Sequence, residues 1–422
     1  MRDVRMRGFA ELTSIDDALR KFFKEVNVER LPPEDFSALD SLGRVLAEDI
    51  IVPQDVPNFD RAAVDGYAVR AEDTYGASST NPLVFDVIAS SEIGVLSKVS
   101  VGRQQAVGIA TGAPLPKGAD AVVMVEYTEK IGGDKVEVYR SVPPGENVSM
   151  KGEDVKKGEK ILSSGVILQP QDIGMLSALG MKRLKVVRKP SVAVFSTGNE
   201  LVEPGDSVEV GKVVDSNRPT IMAMVKSLGG EPLDLGIARD DLAAVKLKLL
   251  EGLAVDMVVV SGATSVGEKD LLPEAVNSLG KPGIIVHGIS MRPGRPTALA
   301  AVNGKPVILL PGFPVAAMIA FDVFVKPILL RMLGASSEQV GRQTVRARVS
   351  RRVASSLGNR TFARVIINKV DGKYVVEPLR TSGSGIISSI VKANGLVIIP
   401  ENKEGLEEGE EVEVMVLRPL EE

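Results

Sequence analysis

The chain has 422 residues, which is too long for one hydrophobic core and predicts about two to four domains. Its composition is typical of a globular protein, and a net charge of −4 argues against a nucleic-acid-binding protein. The chain has no Cys and one His, His287, which excludes disulfides, thiolate nucleophiles and Cys/His zinc sites. Any chemistry must therefore use carboxylates, hydroxyls, Lys or Arg, and backbone amides.

The first half of the chain predicts helices at both ends of a β-rich region. Apolar residues recur at helical spacing over residues 14–26, with Thr13 or Ser14 as the cap, and a second short helix is expected from Ser37 to Ala47. From about residue 51, prolines separate short apolar runs, which indicates a small β domain. A further helix is expected from Gln171 to Leu179.

Residues 190–333 alternate short apolar runs with helical patterns. Because the runs are continuously apolar, we predict a parallel sheet covered by helices on both faces, which is a doubly wound α/β domain. After Gly334, alternating short strands predict a terminal β-barrel or sandwich. The longest apolar region, residues 307–321, is broken by Pro and Gly, so we expect no membrane span and a cytoplasmic protein.

Three glycine-bearing turns follow predicted strands of the α/β domain. Turns at the carboxyl ends of parallel strands meet at one edge of the sheet, where their backbone amides can hold a phosphate-bearing ligand. The alternative, that these turns only connect strands to helices, stays open. Glu268 stands where a P-loop needs Lys, which excludes that motif. The candidate ligand-binding residues are Thr197, Gly198, Ser261, Gly262, Ser265, Gly267, Pro311 and Gly312.

Carboxylates and arginines follow the same predicted strands. Glu200 and Asp270 are candidate ligands for Mg²⁺ or a ribose, whereas Asp241 and Glu268 are better explained as helix N-terminal acids. Arg292 and Arg295 lie in one Pro-Gly turn, where two guanidinium groups can bind a tetrahedral oxyanion. His287 is interpreted as a core residue, and the Arg-rich stretch 341–365 as either a solvated face or an anion-binding surface.

Taken in order, the motifs resemble the molybdopterin molybdenumtransferase family (the family of MoeA and the gephyrin C-terminal domain). The resemblance runs from about residue 15 to residue 400, and the ordered set of motifs is specific. The matching segments are residues 59–69 (FDRAAVDGYAV), 110–114 (ATGAP), 118–124 (GADAVVM), 151–154 (KGED), 195–201 (FSTGNEL), 215–218 (DSNR), 236–241 (GIARDD), 261–270 (SGATSVGEKD), 292–296 (RPGRP) and 310–314 (LPGFP).

The resemblance implies four domains and a dimer. The domains are an elongated one from residues 1–50 and 145–187, an inserted β-rich one at 51–144, the α/β molybdopterin-binding domain at 188–333, and a C-terminal β-barrel at 334–422. It implies a homodimer whose site lies between the α/β domain of one subunit and the inserted domain of the other. The implied reaction inserts molybdate or tungstate into adenylylated molybdopterin and releases AMP with Mg²⁺ present. A molybdopterin adenylyltransferase is a candidate partner. We expect the protein to bind neither a nucleic acid nor a membrane.

The resemblance also assigns roles to residues matched by motif. Asp65 and Thr111 would be the partner subunit's contribution to catalysis, and Glu200 and Asp270 would bind the metal. Asp240 would serve the nucleotide and pyrophosphate. The oxyanion would be held by Arg292, Arg295, Arg364 and Ser384.

The chain departs from the family pattern at several of these positions. Arg292 and Arg295 replace two Lys, Gly288 replaces an upstream Lys, and Phe313 replaces Asn in the Pro-Gly-Asn-Pro turn. The loss of a polar side chain at Phe313 favours a second hypothesis, a non-catalytic dimeric scaffold that binds a protein partner. A third hypothesis, a molybdopterin adenylyltransferase, is disfavoured by the long β segments on either side of the α/β domain.

Overall fold

The computed structural model describes residues 11–95, 97–262, 271–335, 339–379 and 383–420. The chain begins with α1 (Ile15–Glu25), β1 (Pro33–Ser37) and β2 (Ile50–Ile51). Ser14 caps α1, because its hydroxyl oxygen accepts a 3.1 Å hydrogen bond from the Asp17 N–H.

The predicted helix from Ser37 to Ala47 is wrong. Gly43 takes φ 73° in a turn, and Leu39 and Leu42 of the supposed apolar face are exposed. The backbone at Val45 and Leu46 instead forms bridges with residues 167 and 186. Pairing with distant strands therefore overrides the local helical spacing.

The next region is the predicted β-rich one. Six of its strands form one sheet in the order β7-β4-β6-β5-β9-β8, and its core includes Phe85, Val123 and Val136. Its strands are β3 (Arg61–Ala62), β4 (Gly66–Val69), β5 (Leu83–Ser91), β6 (Gln105–Ile109), β7 (Ala121–Met124), β8 (Thr128–Gly132), β9 (Lys135–Val138) and β10 (Val148–Ser149).

The chain then returns to its first segment through β11 (Lys160–Leu162), α2 (Pro170–Ala178) and β12 (Arg183–Val187). β12 pairs with β1 and β11 pairs with β2, so one small core contains residues from both sides of the β-rich region. This pairing makes the β-rich region an insertion. The domain boundaries taken from the sequence stay a prediction.

Residues 191–333 form the α/β unit. Its main sheet has the order β16-β13-β17-β21-β20-β18, and its helices cover both faces. The strands are β13 (Ser191–Thr197), β14 (Leu201–Val202), β15 (Val213–Val214), β16 (Glu231–Ala238), β17 (Met257–Gly262), β18 (Pro282–His287), β19 (Met291–Arg292), β20 (Ala298–Val302) and β21 (Lys305–Pro311). The helices are α3 (Asn217–Ser227), α4 (Leu242–Gly252), α5 (Leu271–Leu279), α6 (Pro314–Ala320) and α7 (Lys326–Leu333), with a π-helical turn at Phe321–Val325.

Two features of this unit differ from the expectation. β20 runs antiparallel to β21, because Asn303 and Gly304, at φ 51° and 83°, make a two-residue hairpin turn. The N-terminal helix α1 packs here as well, since Phe22 lies in the same core as Ile221, Met257 and Phe321. The α/β class is confirmed, but the sheet is mixed rather than wholly parallel.

The C-terminal region is a barrel. Its five main strands follow the order β24-β25-β22-β28-β26, and β26 also pairs with β24, which closes the barrel. The sequence left a barrel and a sandwich as alternatives, and the structure shows the barrel. Its elements are β22 (Thr344–Val349), β23 (Val353–Ala354), β24 (Arg360–Val370), β25 (Lys373–Pro378), α8 (Ile387–Lys392), β26 (Gly395–Ile399), β27 (Gly405–Leu406) and β28 (Glu411–Val416). Among the described residues, the helices are all too short or too polar to cross a membrane.

Candidate functional site

A cleft of about 570 Å³ lies at the carboxyl edge of the mixed sheet. The carboxyl ends of β13, β17 and β21 form its floor, and the N-terminus of α3 forms one side. Gly385 and Ile387 of the C-terminal region also line it. Of the predicted ligand-binding residues, Thr197, Ser261, Gly262, Pro311 and Gly312 meet in this cleft, whereas Ser265 and Gly267 lie outside the described residues.

Glycine is required at one point in the cleft floor. A Cβ atom added to Gly262 would lie 2.0 Å from the hydroxyl oxygen of Thr197, which is far inside van der Waals contact. Gly312 is less restricted, because its added Cβ would meet the carbonyl oxygen of Gly262 at 3.5 Å. The ends of β13 and β17 therefore approach so closely that only glycine fits at position 262.

Asn217 ties the helix α3 to two strand ends. Its side-chain NH₂ donates to the hydroxyl oxygen of Ser261 at 2.8 Å and to the carbonyl oxygen of Gly312 at 2.7 Å. Ser261 in turn donates to the carbonyl oxygen of Pro311 at 3.3 Å. The Oδ1 atom of Asn217 is buried and accepts no hydrogen bond from any residue in the described ranges. The amide orientation follows from the Gly312 carbonyl, which can only accept.

A buried ion pair supports the same helix end. Asp215, which is 2% exposed, accepts hydrogen bonds from the Ser196 hydroxyl at 3.0 Å and from the N–H groups of Asn217 and Arg218. The Arg218 guanidinium contacts Asp215 at 3.2 Å, Asp234 at 2.6 Å and also Glu203. No role was assigned to residues 215–218 from the sequence. Their DSNR segment matches the family pattern and is the signal that could have identified them.

Two predicted acidic residues lie on adjoining turns at this edge. The Asn199 N–H donates to Asp240 at 3.1 Å, and the Asp240 N–H donates to the Asn199 side chain at 3.2 Å. Glu200 lines the cleft, and its carboxylate lies over Gly198, where an added Cβ would be only 2.7 Å away. The structure therefore brings Thr197, Gly198, Glu200 and Asp240 to one edge.

These positions leave the assignment of Glu200 and Asp270 as metal ligands a prediction. Within the described ranges, no group of three or more Asp, Glu, His or Cys side chains could enclose a metal ion. Asp270, the second predicted ligand, lies outside those ranges. Glu200 has the hard carboxylate oxygens that suit Mg²⁺, which commonly takes one or two protein carboxylates and keeps several waters.

The arginine turn (residues 291–296) adjoins the cleft through Pro296. Arg292 and Arg295 are both exposed, and the Arg295 guanidinium donates to the Asn359 side chain at 3.3 Å. Arg364 is 2% exposed on β24, and burial lowers the pKa of its guanidinium. Ser384 presents its carbonyl oxygen to the Val315 N–H at 3.1 Å, which brings the C-terminal region to the start of α6.

Asp65 and Thr111 form a pair away from this cleft. Asp65 Oδ1 accepts from the Thr111 N–H at 2.7 Å and from the Thr111 hydroxyl at 2.8 Å. These two hydrogen bonds lower the pKa of the Asp65 carboxyl, and the bond from the Thr111 backbone N–H has the larger effect. Both residues are exposed, and neither is among the described residues that line the 570 Å³ cleft.

The remaining candidates have structural explanations. Four described arginines of the 341–365 stretch form ion pairs: Arg342 with Asp322 at 2.9 Å, Arg348 with Glu411 at 3.2 Å, Arg352 with Glu407 at 3.3 Å, and Arg360 with both Asp16 and Glu401. This charge compensation favours the solvated face over an anion-binding surface. His287 is half-buried at the end of β18, and Phe313 is 63% exposed at the wall of the cleft.

Three family models match the chain along most of its length. The MoeA N-terminal region (domain I and II) matches residues 13–180, a probable molybdopterin binding domain matches 193–331, and the MoeA C-terminal region (domain IV) matches 346–417. The chain is 38% identical to a putative molybdopterin biosynthesis protein of Methanocaldococcus jannaschii, over 98% of this chain and 99% of that protein. It is 36% identical to the molybdopterin molybdenumtransferase of Bacillus subtilis, over 96% and 94% respectively.

Solved structures show the same similarity. A molybdopterin biosynthesis MoeA protein from Pyrococcus horikoshii has a TM-score of 0.83 and 38% identity, covering 97% of this chain and 100% of that one. A molybdenum cofactor biosynthesis protein from Pyrococcus furiosus has a TM-score of 0.59 and 25% identity, covering 96% and 100%. The similarity therefore extends over all the described regions and not only over the α/β unit.

Proposed function

Because this chain belongs to the molybdopterin molybdenumtransferase family, we propose that it inserts molybdate or tungstate into adenylylated molybdopterin and releases AMP. Its part in molybdenum cofactor biosynthesis follows from the family. The observation that supports this detailed reaction is the cleft. Most of its lining residues lie between 196 and 314, within the segment that matches a probable molybdopterin binding domain.

The chemistry of the cleft suits a ligand with both planar and anionic parts. A volume of about 570 Å³ is in the range of small-molecule sites. Apolar side chains such as Leu201 and Phe313 offer surface to a ring system, while the Thr197 and Ser261 hydroxyls lie at the strand ends. The glycine at 262 keeps the floor open for a phosphate group.

We assign Mg²⁺ binding to Glu200 together with Asp270. When bound, Mg²⁺ neutralises charge on the pyrophosphate that links AMP to molybdopterin. Thr197, Gly198 and Asp240 then orient the nucleotide and the phosphoanhydride at the sheet edge. The sulfur ligands for the incoming metal belong to the substrate, which agrees with the absence of Cys from the sequence.

We assign the oxyanion to the arginine turn. Arg292 and Arg295 each carry a guanidinium group, which offers paired N–H donors to a tetrahedral oxyanion. Arg364 and Ser384 of the C-terminal region would complete that subsite. Replacement of the usual Lys by Arg keeps the charge and changes the directions of the donors, so the preference between molybdate and tungstate requires measurement.

The exposed Asp65–Thr111 pair supports a site shared between two subunits. It lies outside the cleft lining among the described residues, so it would act on a substrate held by another copy of the chain. A homodimer would place the partner subunit's Asp65 at the substrate. Loss of activity in E200Q and D65N homodimers, with activity recovered in a mixed dimer, would support this arrangement.

The test is release of AMP from adenylylated molybdopterin by the purified protein with Mg²⁺ and molybdate. We expect release that depends on the oxyanion and falls in E200Q. Binding of the substrate without release under any divalent metal would favour the scaffold. Formation of adenylylated molybdopterin from molybdopterin and ATP would favour the adenylyltransferase.

A further inference from the structure

We propose that Arg360 is a positioning residue for the arginine turn, and that the N-terminal helix α1 supports the turn through it. The identity of the bound oxyanion rests on the proposed function. The positioning itself rests on contacts among described residues at a junction of α1, the α/β unit and the barrel.

The backbone of Arg360 holds the start of the turn. β19, which contains Arg292, pairs in parallel with the first residues of β24, so that Met291 is opposite Arg360 and Arg292 is opposite Thr361. The Arg360 N–H donates to the carbonyl oxygen of Ser290 at 2.9 Å. The first arginine of the turn is therefore part of a strand pairing with the barrel.

The side chain of Arg360 fixes this pairing from two directions. Its guanidinium contacts Asp16 of α1, with Nη2–Oδ2 at 2.8 Å, and Glu401 of the barrel, with Nε–Oε1 at 2.9 Å. Arg360 is 25% exposed and Glu401 is 29% exposed, so water screens their contact less than at an open surface, whereas Asp16 is 64% exposed. The hydrogen bond to Asp16 also raises the pKa of the Arg360 guanidinium and lowers that of the Asp16 carboxyl.

The chain just before α1 holds the same stem. The Thr13 N–H donates to the carbonyl oxygen of Gly288 at 3.0 Å, and the Ser290 N–H donates to the carbonyl oxygen of Thr13 at 2.8 Å. Because Phe22 anchors α1 in the α/β core, Asp16 is a fixed partner for Arg360. The turn is thus held at its stem by three parts of the chain.

The second arginine of the turn depends on the residue next to Arg360. Asn359, which is 8% exposed, accepts the hydrogen bond from Arg295. Loss of the Arg360 ion pairs would loosen both Asn359 and the β19 pairing, so the backbone that carries Arg292 and the hydrogen-bond partner of Arg295 would both become less fixed. Arg360 is not among the described residues that line the cleft, so we expect nucleotide binding to change little.

The experiment compares R360Q, R360K and D16N with the wild type, using R352Q as the matched control. Arg352 forms an Arg–Glu pair with Glu407 on the same barrel, at 3.3 Å, without pairing to β19. For R360Q we expect the KM for molybdate to rise about tenfold or more, because small displacements of binding groups have large effects. The KM for adenylylated molybdopterin should change less than about twofold. R360K and D16N should show smaller rises, and R352Q none.

Hydrogen exchange of the backbone amides in residues 288–296 provides a second readout that does not depend on activity. Exchange should accelerate in R360Q and D16N and remain unchanged in R352Q. Unchanged exchange in R360Q, or an equal rise of both KM values, would overturn the proposal. If R360Q does not fold, R360K and D16N decide the question by the same measurements. If the wild-type protein shows no oxyanion-dependent AMP release, the proposed function is wrong. The hydrogen-exchange data would still test whether Arg360 positions the arginine turn.

Discussion

Asn217 donates a 2.7 Å hydrogen bond to the carbonyl oxygen of Gly312, and this contact joins the start of α3 to the turn after β21. The same NH₂ group donates to Ser261 at the end of β17. One side chain therefore holds together two of the three strand ends that form the cleft floor. The position of Asn217 depends on Asp215, which accepts hydrogen bonds from the backbone N–H groups of Asn217 and Arg218 at the start of α3.

Replacing Asn217 with Asp should destabilise the protein and weaken substrate binding. The carboxylate cannot donate to the Gly312 carbonyl, so one buried acceptor loses its partner, at a cost of about 1–3 kcal/mol. Urea denaturation would measure the stability, and substrate titration the affinity. S216A at the neighbouring position is the control for the stability measurement, because the Ser216 side chain makes no capping hydrogen bond to α3. Equal stability of N217D and the wild type would contradict the structural role.

Replacing Gly262 with Ala should be destabilising, whereas the same change at Gly312 should cost less. The new methyl group at 262 would overlap the Thr197 hydroxyl, and relief of such overpacking typically costs about 1–3 kcal/mol. At 312 the nearest atom is 3.5 Å away, which is ordinary contact. Thermal unfolding of the two variants gives the comparison. Equal losses in both would show that β13 and β17 do not approach as closely as described.

The pair of Asp65 and Thr111 predicts a specific pH dependence. Because the Asp65 pKa is lowered in the folded state, the pair contributes stability above the ordinary carboxyl pKa near 3.8, and this contribution is lost as pH falls through the folded pKa. T111V removes the hydroxyl donor and keeps the N–H donor, so the Asp65 pKa should rise partway. Carbon-13 NMR titration of the Asp65 carboxyl measures this shift, and T111S is the control that retains both donors. An unaltered Asp65 titration in T111V would mean that the hydroxyl makes no such bond.

Replacing Arg218 with Met should be the most damaging of these changes. Arg218 is 6% exposed and contacts Asp215, which is itself 2% exposed, so its loss leaves a buried carboxylate without its cation. Breaking one side of a buried pair typically costs about 3–5 kcal/mol. Chemical denaturation would measure it. The double variant R218M/D215N should recover part of the loss, since the uncompensated charge is then gone. No recovery would assign the destabilisation to packing around residue 218 instead.

Much of the fold was predictable, because burial follows local periodicity. Helical spacing predicted α1, and a continuously apolar run at 257–260 predicted the strand that the structure shows as β17 (Met257–Gly262). Other parts of the fold were not predictable, and two of them show the reason. The 37–47 segment has helical spacing but pairs with distant strands, and β20 was missed although Asn303-Gly304 is a hairpin signal.

The sequence by itself determined which chemistry is available, since it contains no Cys, and it placed Thr197, Ser261, Gly262 and Gly312 at strand ends that share one edge. Only the tertiary structure decided how these residues are supported. The hydrogen bonds of the Asn217 side chain and the Arg360–Asp16 contact join residues that are 44 to 344 positions apart. Such contacts depend on how separate elements pack, and hydrophobic periodicity within a short window carries no information about that.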